Sequence, residues 1–198
     1  MYCEVLLIQH ALTQWNVDKR KQGHNDTSLN NEGRMMSKIL AYRLKNEKIH
    51  ALYSSDLRRA YETLDELSKI LGLPVIKDLR LREGRWRDQE KSNECEILPF
   101  VLDSETDEDV SKRMLEAMNE IAGRHMGQRI VVVSHGGAIK AFLKNVLDED
   151  TFKSYKGIRT AINCLRYYVA CNIWSCVYLN DDMHLKSSII EHCRIDAG

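Results

Sequence analysis

The 198-residue sequence predicts an α/β fold: a three-layer α/β/α arrangement in which a mainly parallel central sheet carries helices on both faces. Short apolar runs with the length of strands alternate along the chain with segments whose apolar residues repeat at helical spacing. The most regular run, 129–134 (RIVVVS), is rich in β-branched residues and is followed by two glycines and a helical pattern. Because no linker-like stretch interrupts this alternation, we predict one domain over 1–198.

The first half of the chain predicts three strands and two helices. The strands are expected at the apolar runs 3–8, 51–53 and 73–76. The helices are expected where apolar residues recur at helical spacing, 35–44 and 57–71. Residues 54–56 (SSD) can cap the second helix, and Gly72 can end it.

The second half predicts a loop, two helices, the central strand and a hairpin. The polar stretch 81–103 is expected to form a long loop over the sheet. Helices are expected at 106–124 and from Gly136 to about Leu147. Alternating apolar residues from Asn163 to Leu179 predict a hairpin that turns at Asn172.

The balance of charge excludes two classes of partner. The chain has 29 Lys plus Arg and 29 Asp plus Glu, so its formal net charge is 29 − 29 = 0. Nucleic-acid binders usually carry a basic excess or stripe, and membrane-surface proteins a polybasic patch beside an apolar face. We therefore expect neither nucleic acid nor membrane as a partner.

Cysteine usage indicates a reducing compartment. The six cysteines show no C-x-x-C spacing of the metal-binding kind, and the chain is long for a disulfide scaffold. The N-terminal apolar run 5–8 is too short for a secretory signal, and no window reaches the ~20 apolar residues of a membrane helix. We predict a cytoplasmic protein whose cysteines are mainly small core residues.

Two histidines follow predicted strands in the same way. His10 comes directly after the first strand and His135 directly after 129–134. Ligands bind outside the carboxyl ends of strands in parallel α/β sheets, so two imidazoles there can face one pocket. The glycines Gly136 and Gly137 would leave backbone N–H groups open to an anion.

An arginine and a glutamate are expected near the same edge. Arg59 lies at the start of a predicted helix, and its planar guanidinium suits a phosphoryl group; pairing with Asp56 or Glu62 on the surface is the alternative. Glu83 lies on the predicted loop. If that carboxyl is partly desolvated, its pKa is raised and it can donate a proton near neutral pH.

An ordered set of motifs resembles the histidine phosphatase (phosphoglycerate mutase-like) superfamily, in particular its small phosphatases. Residues 9–16 (QHALTQWN) are similar to R-H-G-x-T-x-x-N, and the segment LNNEGR at 29–34 follows. Further matches run in family order to the tail and cover nearly the whole chain: SSDLRRA at 54–60 with Thr63, LREGRW at 81–86, VVSHGG at 132–137 and NDDMHL at 180–185.

The resemblance implies phosphatase chemistry through a phosphohistidine. His10 would attack the phosphorus of a phosphomonoester. The phosphoryl oxygens would be held by Arg59, Asn16 and His135. Glu83 would act first as general acid and then as general base. It implies no metal and no cofactor, since cationic side chains neutralise the phosphate. His184 matches a structural rather than a catalytic position of the family.

The partner implied is a small phosphorylated substrate, and the sequence leaves a homodimer open. Five residues are expected to contact phosphate or substrate: Gln9, Asn16, Gly23, Arg85 and Gly136.

The first motif departs from the family at two positions. Gln9 stands in place of arginine and carries no charge, and losing one oxyanion donor can lower a rate by about 10²–10³. Loss of that cation is also expected to let the pKa of His10 rise. Ala11 replaces glycine, which adds a methyl near the phosphate and disfavours φ > 0.

Two readings follow from these departures. In the first, Arg58, Arg85 or Arg87 compensates and the protein is a slow or unusual phosphatase. In the second, it binds a phosphorylated ligand or partner without turning it over. A mutase is the weaker interpretation, because only about fifty residues separate Glu83 from His135, which leaves little chain for loops that would enclose a substrate.

Overall fold

We describe residues 1–85 and 104–186 of a computed structural model of the chain. Six strands form one sheet in this part of the chain: β1 (Cys3–Gln9), β2 (Ala51–Ser54), β3 (Val75–Lys77), β4 (Arg129–Ser134), β5 (Ile162–Tyr168) and β6 (Ile173–Asp181). Seven α-helices accompany them: α1 (Gln14–Val17), α2 (Asn31–Leu44), α3 (Arg58–Glu62), α4 (Asp65–Leu71), α5 (Asp107–Gly123), α6 (Gly136–Val146) and α7 (Glu149–Lys153).

The sheet has a parallel part and an antiparallel part. Its strand order is β3-β2-β4-β1-β5-β6. The first four strands in that order are parallel to one another, whereas β5 pairs antiparallel with both β1 and β6. The predicted α/β class with a mainly parallel sheet is confirmed, and the predicted hairpin is β5–β6, with Asn172 at positive φ in its turn.

Helices cover both faces of the sheet, as predicted, because side chains of successive strand residues point to opposite faces. Val5, Leu7 and Val132 pack with apolar residues of α5 and α6 on one face. Leu6 and Ile8 pack with those of α2, α3 and α4 on the other. The two cores hold β1 and β4 at the centre of the molecule, where both strands are buried.

The single helix predicted over 57–71 is wrong, since two helices, α3 and α4, occupy this stretch. The hydroxyl of Thr63 donates to the Arg59 carbonyl, and the hydroxyl of Ser37 donates to the Thr63 carbonyl at 2.9 Å. These side-chain bonds compete with the helical ladder at the break. Gly72 ends α4 at φ 65°, as expected.

The predicted cap at 54–56 is also wrong in detail. Leu57 is the N-cap residue of α3 and supplies no side-chain hydrogen bond. The Ser55 hydroxyl instead accepts the Leu57 N–H at 3.2 Å. The predicted loop over 81–103 lies largely outside the described residues.

Among the helices of the described ranges, none has both the length and the apolar character needed to cross a membrane.

Gly33 joins α2 to the loop that follows His10. A Cβ built at Gly33 would lie 2.0 Å from the Leu12 carbonyl oxygen, and that oxygen already accepts the Asn30 N–H at 3.1 Å. The close approach of the two backbones therefore requires glycine. This contact fixes α2 directly against the loop that begins at His10.

We expect Gly33→Ala to lower the free energy of unfolding by about 2–3 kcal/mol, because backbone atoms cannot move aside to admit the methyl group. The matched control is Gly123→Ala, where a Cβ meets no atom within 4 Å and should stabilise α5 by up to about 1 kcal/mol. Urea unfolding followed by circular dichroism measures both. Equal effects of the two substitutions would contradict the close approach at Gly33.

Candidate active site

Parallel pairing of β1 with β4 brings the two histidines together. Gln9 is in register with Ser134, and the His10 N–H donates to the Ser134 carbonyl at 3.0 Å. The next residues along the two strands, His10 and His135, therefore lie side by side with ring centroids 5.2 Å apart. The sequence predicted that the two imidazoles lie together at the carboxyl ends of their strands, and the sheet places them there.

The hydrogen bonding of His10 defines its tautomer. Its Nδ1 lies 2.7 Å from the Ala11 carbonyl oxygen; a carbonyl can only accept, so Nδ1 carries the proton and Nε2 keeps a lone pair. Burial, followed by the positive charge of Arg59, lowers the pKa of His10 to about 3. His10 is therefore a neutral nitrogen base at neutral pH. That its pKa is higher than it would be with arginine at position 9 stays a prediction.

His135 is buried with both ring nitrogens unpartnered among the described residues. Burial first, and Arg59 second, lower its pKa well below the usual histidine value. Buried polar atoms are nearly always hydrogen-bonded in proteins. An imidazole left without partners beside His10 is a donor and acceptor suited to a ligand in this site.

Arg59 is held by the backbone of the loop before α2. Its two terminal nitrogens donate to the carbonyls of Gly23 and Asn25, each at 2.8 Å. The side chain is buried, and its pKa is lowered by burial to about 10, so it remains charged at neutral pH. Arg59 pairs with neither Asp56 nor Glu62, and the alternative of a surface ion pair is wrong.

Glu83 sits on the first turn of α6. Its carboxylate accepts the Ala138 N–H at 2.9 Å and the Gly137 N–H at 3.2 Å. The expectation that Gly136 and Gly137 leave their amides open to an anion is therefore wrong for Gly137, because Glu83 occupies it. The helix that begins after His135 thus fixes the position of the carboxyl group as well.

Opposing effects act on the pKa of Glu83. Burial raises it, while hydrogen bonds from the amides of Gly137, Gly84 and Ala138 and the charge of Arg59 lower it; the net direction is upward. A carboxyl group whose pKa is raised can hold a proton closer to neutral pH than an exposed glutamate does. The role of Glu83 as a proton donor stays a prediction, and the direction of this shift is the one that such a role requires.

Sequence reasoning missed two residues that position Glu83 through its main chain. The Arg113 guanidinium on α5 donates to the carbonyls of Arg80, Arg82 and Glu83 at 2.8–3.0 Å. The ring of His24 lies 2.8 Å from the same Glu83 carbonyl. Nothing in the local pattern of α5 distinguishes Arg113 from other charged residues of that helix.

A cavity of about 290 Å³ collects most of the predicted site. The predicted residues that line it are Gln9, His10, Asn16, Gly23, Arg59, Glu83 and Gly136. His135 packs against His10 at its buried end. Arg85 does not line this cavity, so the structure does not bring it together with the other predicted contacts.

Three further cations line the cavity: Arg20, Lys21 and Arg159. None was among the residues expected to compensate for Gln9. Of those, Arg58 is half exposed and 3.5 Å from Glu62, whereas Arg87 lies outside the described residues. No sequence motif marks Arg159, because its place in the cavity depends on the pairing of β5 with β1.

The two departures from the family motif are accommodated without backbone strain. The Gln9 amide packs against Gly136, where an added Cβ would lie 3.0 Å from Gln9 Nε2. Ala11 has no positive φ, and its N–H donates to the Thr63 hydroxyl at 3.0 Å. The expected conformational penalty at Ala11 is therefore wrong.

Within residues 1–85 and 104–186, no group of three or more His, Cys, Asp or Glu side chains is arranged to hold a metal ion.

Comparison with known proteins identifies the family. The model of the histidine phosphatase superfamily (branch 1) matches residues 5–182, so the chain belongs to this superfamily. The chain is 32% identical over 206 residues to "Phosphoglycerate mutase-like protein 4" of Arabidopsis thaliana, covering 94% of this chain and 89% of that protein. It is 30% identical over 166 residues to "Phosphoserine phosphatase 1" of Hydrogenobacter thermophilus, covering 76% of this chain and 79% of that protein.

A solved structure has the same fold. Bacillus stearothermophilus YhfR superimposes with a TM-score of 0.80 at 26% identity, covering 93% of this chain and all of that one.

The buried histidines should make stability depend on pH. The pKa of His10 is lowered in the folded state, so below about pH 6.5 the unfolded chain binds a proton that the folded chain does not. Each such group lowers the free energy of unfolding by about 1.4 kcal/mol per pH unit as the pH falls. Its stabilising contribution is thus complete above pH 6.5 and is lost toward pH 3.

We expect the difference in the free energy of unfolding between wild type and His10→Gln to change by about 1.4 kcal/mol per pH unit between pH 6.5 and pH 4.5. Urea unfolding at several pH values measures it. His135→Gln should show the same trend. A difference that is independent of pH in both variants would contradict the burial of neutral imidazoles at this site.

Proposed function

We propose that this member of the histidine phosphatase superfamily is a metal-independent phosphatase that hydrolyses small phosphomonoesters through a phosphohistidine on His10. One observation carries the proposal: the Nε2 lone pair of a neutral, buried His10 shares a cavity with a charged Arg59 and a carboxyl group, Glu83, whose pKa is raised. A nucleophile, an anion-binding cation and a proton donor are the three groups that the reaction requires.

In the first step, His10 Nε2 attacks the phosphorus of the ester. The P–N bond forms as the bond to the leaving oxygen breaks, and the protonated carboxyl of Glu83 gives its proton to the leaving alkoxide. Arg59, His135 and the Asn16 amide stabilise the phosphoryl oxygens. Asn16 Oδ1 already accepts from Thr13, which leaves Nδ2 as its donor to an anion.

In the second step, water hydrolyses the phosphohistidine. The Glu83 carboxylate takes a proton from the water as its oxygen attacks phosphorus, and the P–N bond breaks to return neutral His10. Glu83 thus ends the cycle protonated, as it began. Because Arg59 supplies positive charge beside the nucleophile, this chemistry does not call on a metal ion to neutralise the phosphate.

The substrate class is inferred from the size and charge of the site. A cavity of about 290 Å³ lies at the small end of ligand pockets, which favours a small phosphorylated molecule. Relatives with phosphatase and mutase-like names both occur, and we favour hydrolysis over phosphoryl return because few residues lie between Glu83 and His135 to enclose a substrate.

The buried thiols support a cytoplasmic location. Cys3 and Cys164 are free and buried, and burial raises the pKa of each to about 12. Thiols of this kind behave as small apolar core residues, and we propose that the protein works in a reducing compartment.

Phosphate release from p-nitrophenyl phosphate tests the nucleophile. We expect His10→Ala to lower kcat by about 10³-fold or more, because the covalent route is lost, while His50→Ala, outside the cavity, keeps the wild-type rate. Quenching wild type in alkaline detergent, in which the P–N bond of phosphohistidine is stable, should trap phosphate on His10. A wild type that matches His10→Ala at background yet still binds phosphate would favour the alternative, a binding protein without turnover.

The pH profile tests the proton donor. Since hydrolysis needs Glu83 protonated for the first step, kcat for an alkyl phosphate should fall as pH rises through the raised pKa of Glu83. Glu83→Gln should lower kcat by about 10²–10⁴-fold and remove that alkaline limb. An aryl phosphate, whose leaving group needs little protonation, should be affected less; an equal loss for both esters would argue against the acid role.

A further inference from the structure

Position 9, where the family motif has arginine, is neutral in this chain. We propose that Arg159 supplies the missing cation: it enters the same cavity from the loop before β5 and binds the phosphoryl group opposite Arg59. This inference rests on the proposed function, because it assigns a phosphoryl-binding residue to the same site.

Arg159 is already part of the site's hydrogen-bond network. Its Nε lies 3.2 Å from Asn16 Oδ1, so the Arg159 Nε–H donates to a residue expected to bind phosphate. The side chain is half-buried, and burial lowers its pKa. Its charge is also among the causes that lower the pKa of His10, and both side chains line the same cavity.

The fold delivers Arg159 to a place beside position 9. The next residue, Thr160, donates its N–H to the Gln9 carbonyl at 3.0 Å. Thr160 is buried at φ 56°, a conformation that a β-branched residue adopts only at a cost of about 1–3 kcal/mol. The chain thus turns sharply immediately after Arg159 instead of extending β5 backwards.

His184 supports this turn. Its Nε2 lies 3.3 Å from the Thr160 hydroxyl, and the imidazole is fully buried. The histidine expected to be structural therefore touches the residue next to Arg159. Thr160 thus keeps its strained backbone conformation through contacts with Gln9 and His184. Backbone strain of this kind clusters at functional sites, which indicates that the turn serves to place Arg159.

The other cations of the cavity are less suited to the role. The Arg20 guanidinium stacks on the Trp15 ring at 3.8 Å from its centroid, and both Arg20 and Lys21 are exposed to solvent. Neither is among the charges that lower the pKa of His10. Arg159 is half-buried, close to Asn16, and free to turn its terminal nitrogens toward a bound anion while Nε stays bonded.

The chemical consequence is a clamp with two sides. Arg59 enters from α3, held by the carbonyls of Gly23 and Asn25, and Arg159 enters from the start of β5. A phosphoryl group carries three peripheral oxygens, and planar guanidinium groups on two sides can each donate two hydrogen bonds. Arg159 then supplies a positive charge that a neutral residue at position 9 does not.

Charge exchange between positions 9 and 159 tests the proposal. The variants are Arg159→Gln, Arg159→Lys, Gln9→Arg and the double variant Gln9→Arg/Arg159→Gln, with Arg58→Gln as the matched control on an exposed ion pair. Calorimetry measures the binding of inorganic phosphate independently of turnover. A separate assay measures kcat/KM with p-nitrophenyl phosphate. Thermal unfolding of each variant checks that it folds.

We expect Arg159→Gln to weaken phosphate binding by roughly 10-fold to 100-fold, the value of a charge-assisted hydrogen bond. Arg159→Lys should keep part of the affinity, because lysine keeps the positive charge but lacks the paired donors of a guanidinium group. Arg58→Gln should keep all of the affinity. The double variant should regain most of the loss, since the cation returns at position 9.

Two results would overturn the proposal: wild-type phosphate affinity in Arg159→Gln, or a double variant as weak as Arg159→Gln alone. The proposed function fails separately. If wild type does not release phosphate but its affinity for phosphate still depends on Arg159 and is restored from position 9, the clamp stands and the hydrolytic function does not.

Discussion

The site depends on the parallel register between β1 and β4. Gln9 opposite Ser134 puts two histidines, 125 positions apart by their numbers in the chain, at adjacent strand ends. A slip of one residue would send one imidazole to the other face of the sheet. Both strands are buried between two apolar cores, so a slip of one residue would also exchange the side chains that each core receives. The packing of β1 and β4 thus fixes the distance between His10 and His135.

The strand at 129–134 and the hairpin around Asn172 were predictable because their signals are local. The candidate nucleophile and its neighbours were predictable too, since each follows a strand or lies in an ordered motif. Arg159 and Arg113 were not, because each reaches the site through pairing or packing between segments distant in sequence. The break within 57–71 depends on a hydroxyl from another helix, which no periodicity reveals.

Two electrostatic effects of opposite sign meet at the start of α6. The first-turn amides favour an anion there, and Glu83 occupies them as a carboxylate would; burial in the same place favours the protonated form. The net result is a raised pKa for a carboxyl group that backbone amides hold in place. In an overall neutral protein, the local charge is therefore set by burial and by backbone amides as much as by the number of cationic side chains.

The place of β1 in the sheet has a consequence for synthesis. This strand is translated before the other five described strands, yet its two neighbours are β4 and β5, which end at Ser134 and Tyr168. The apolar β1 can pair with β4 only after residue 134 has been translated, and with β5 only after residue 168. Such long-range pairing slows folding and exposes nascent strands to aggregation. Chaperone contact with the nascent N-terminal segment would therefore protect the residues that later form the site.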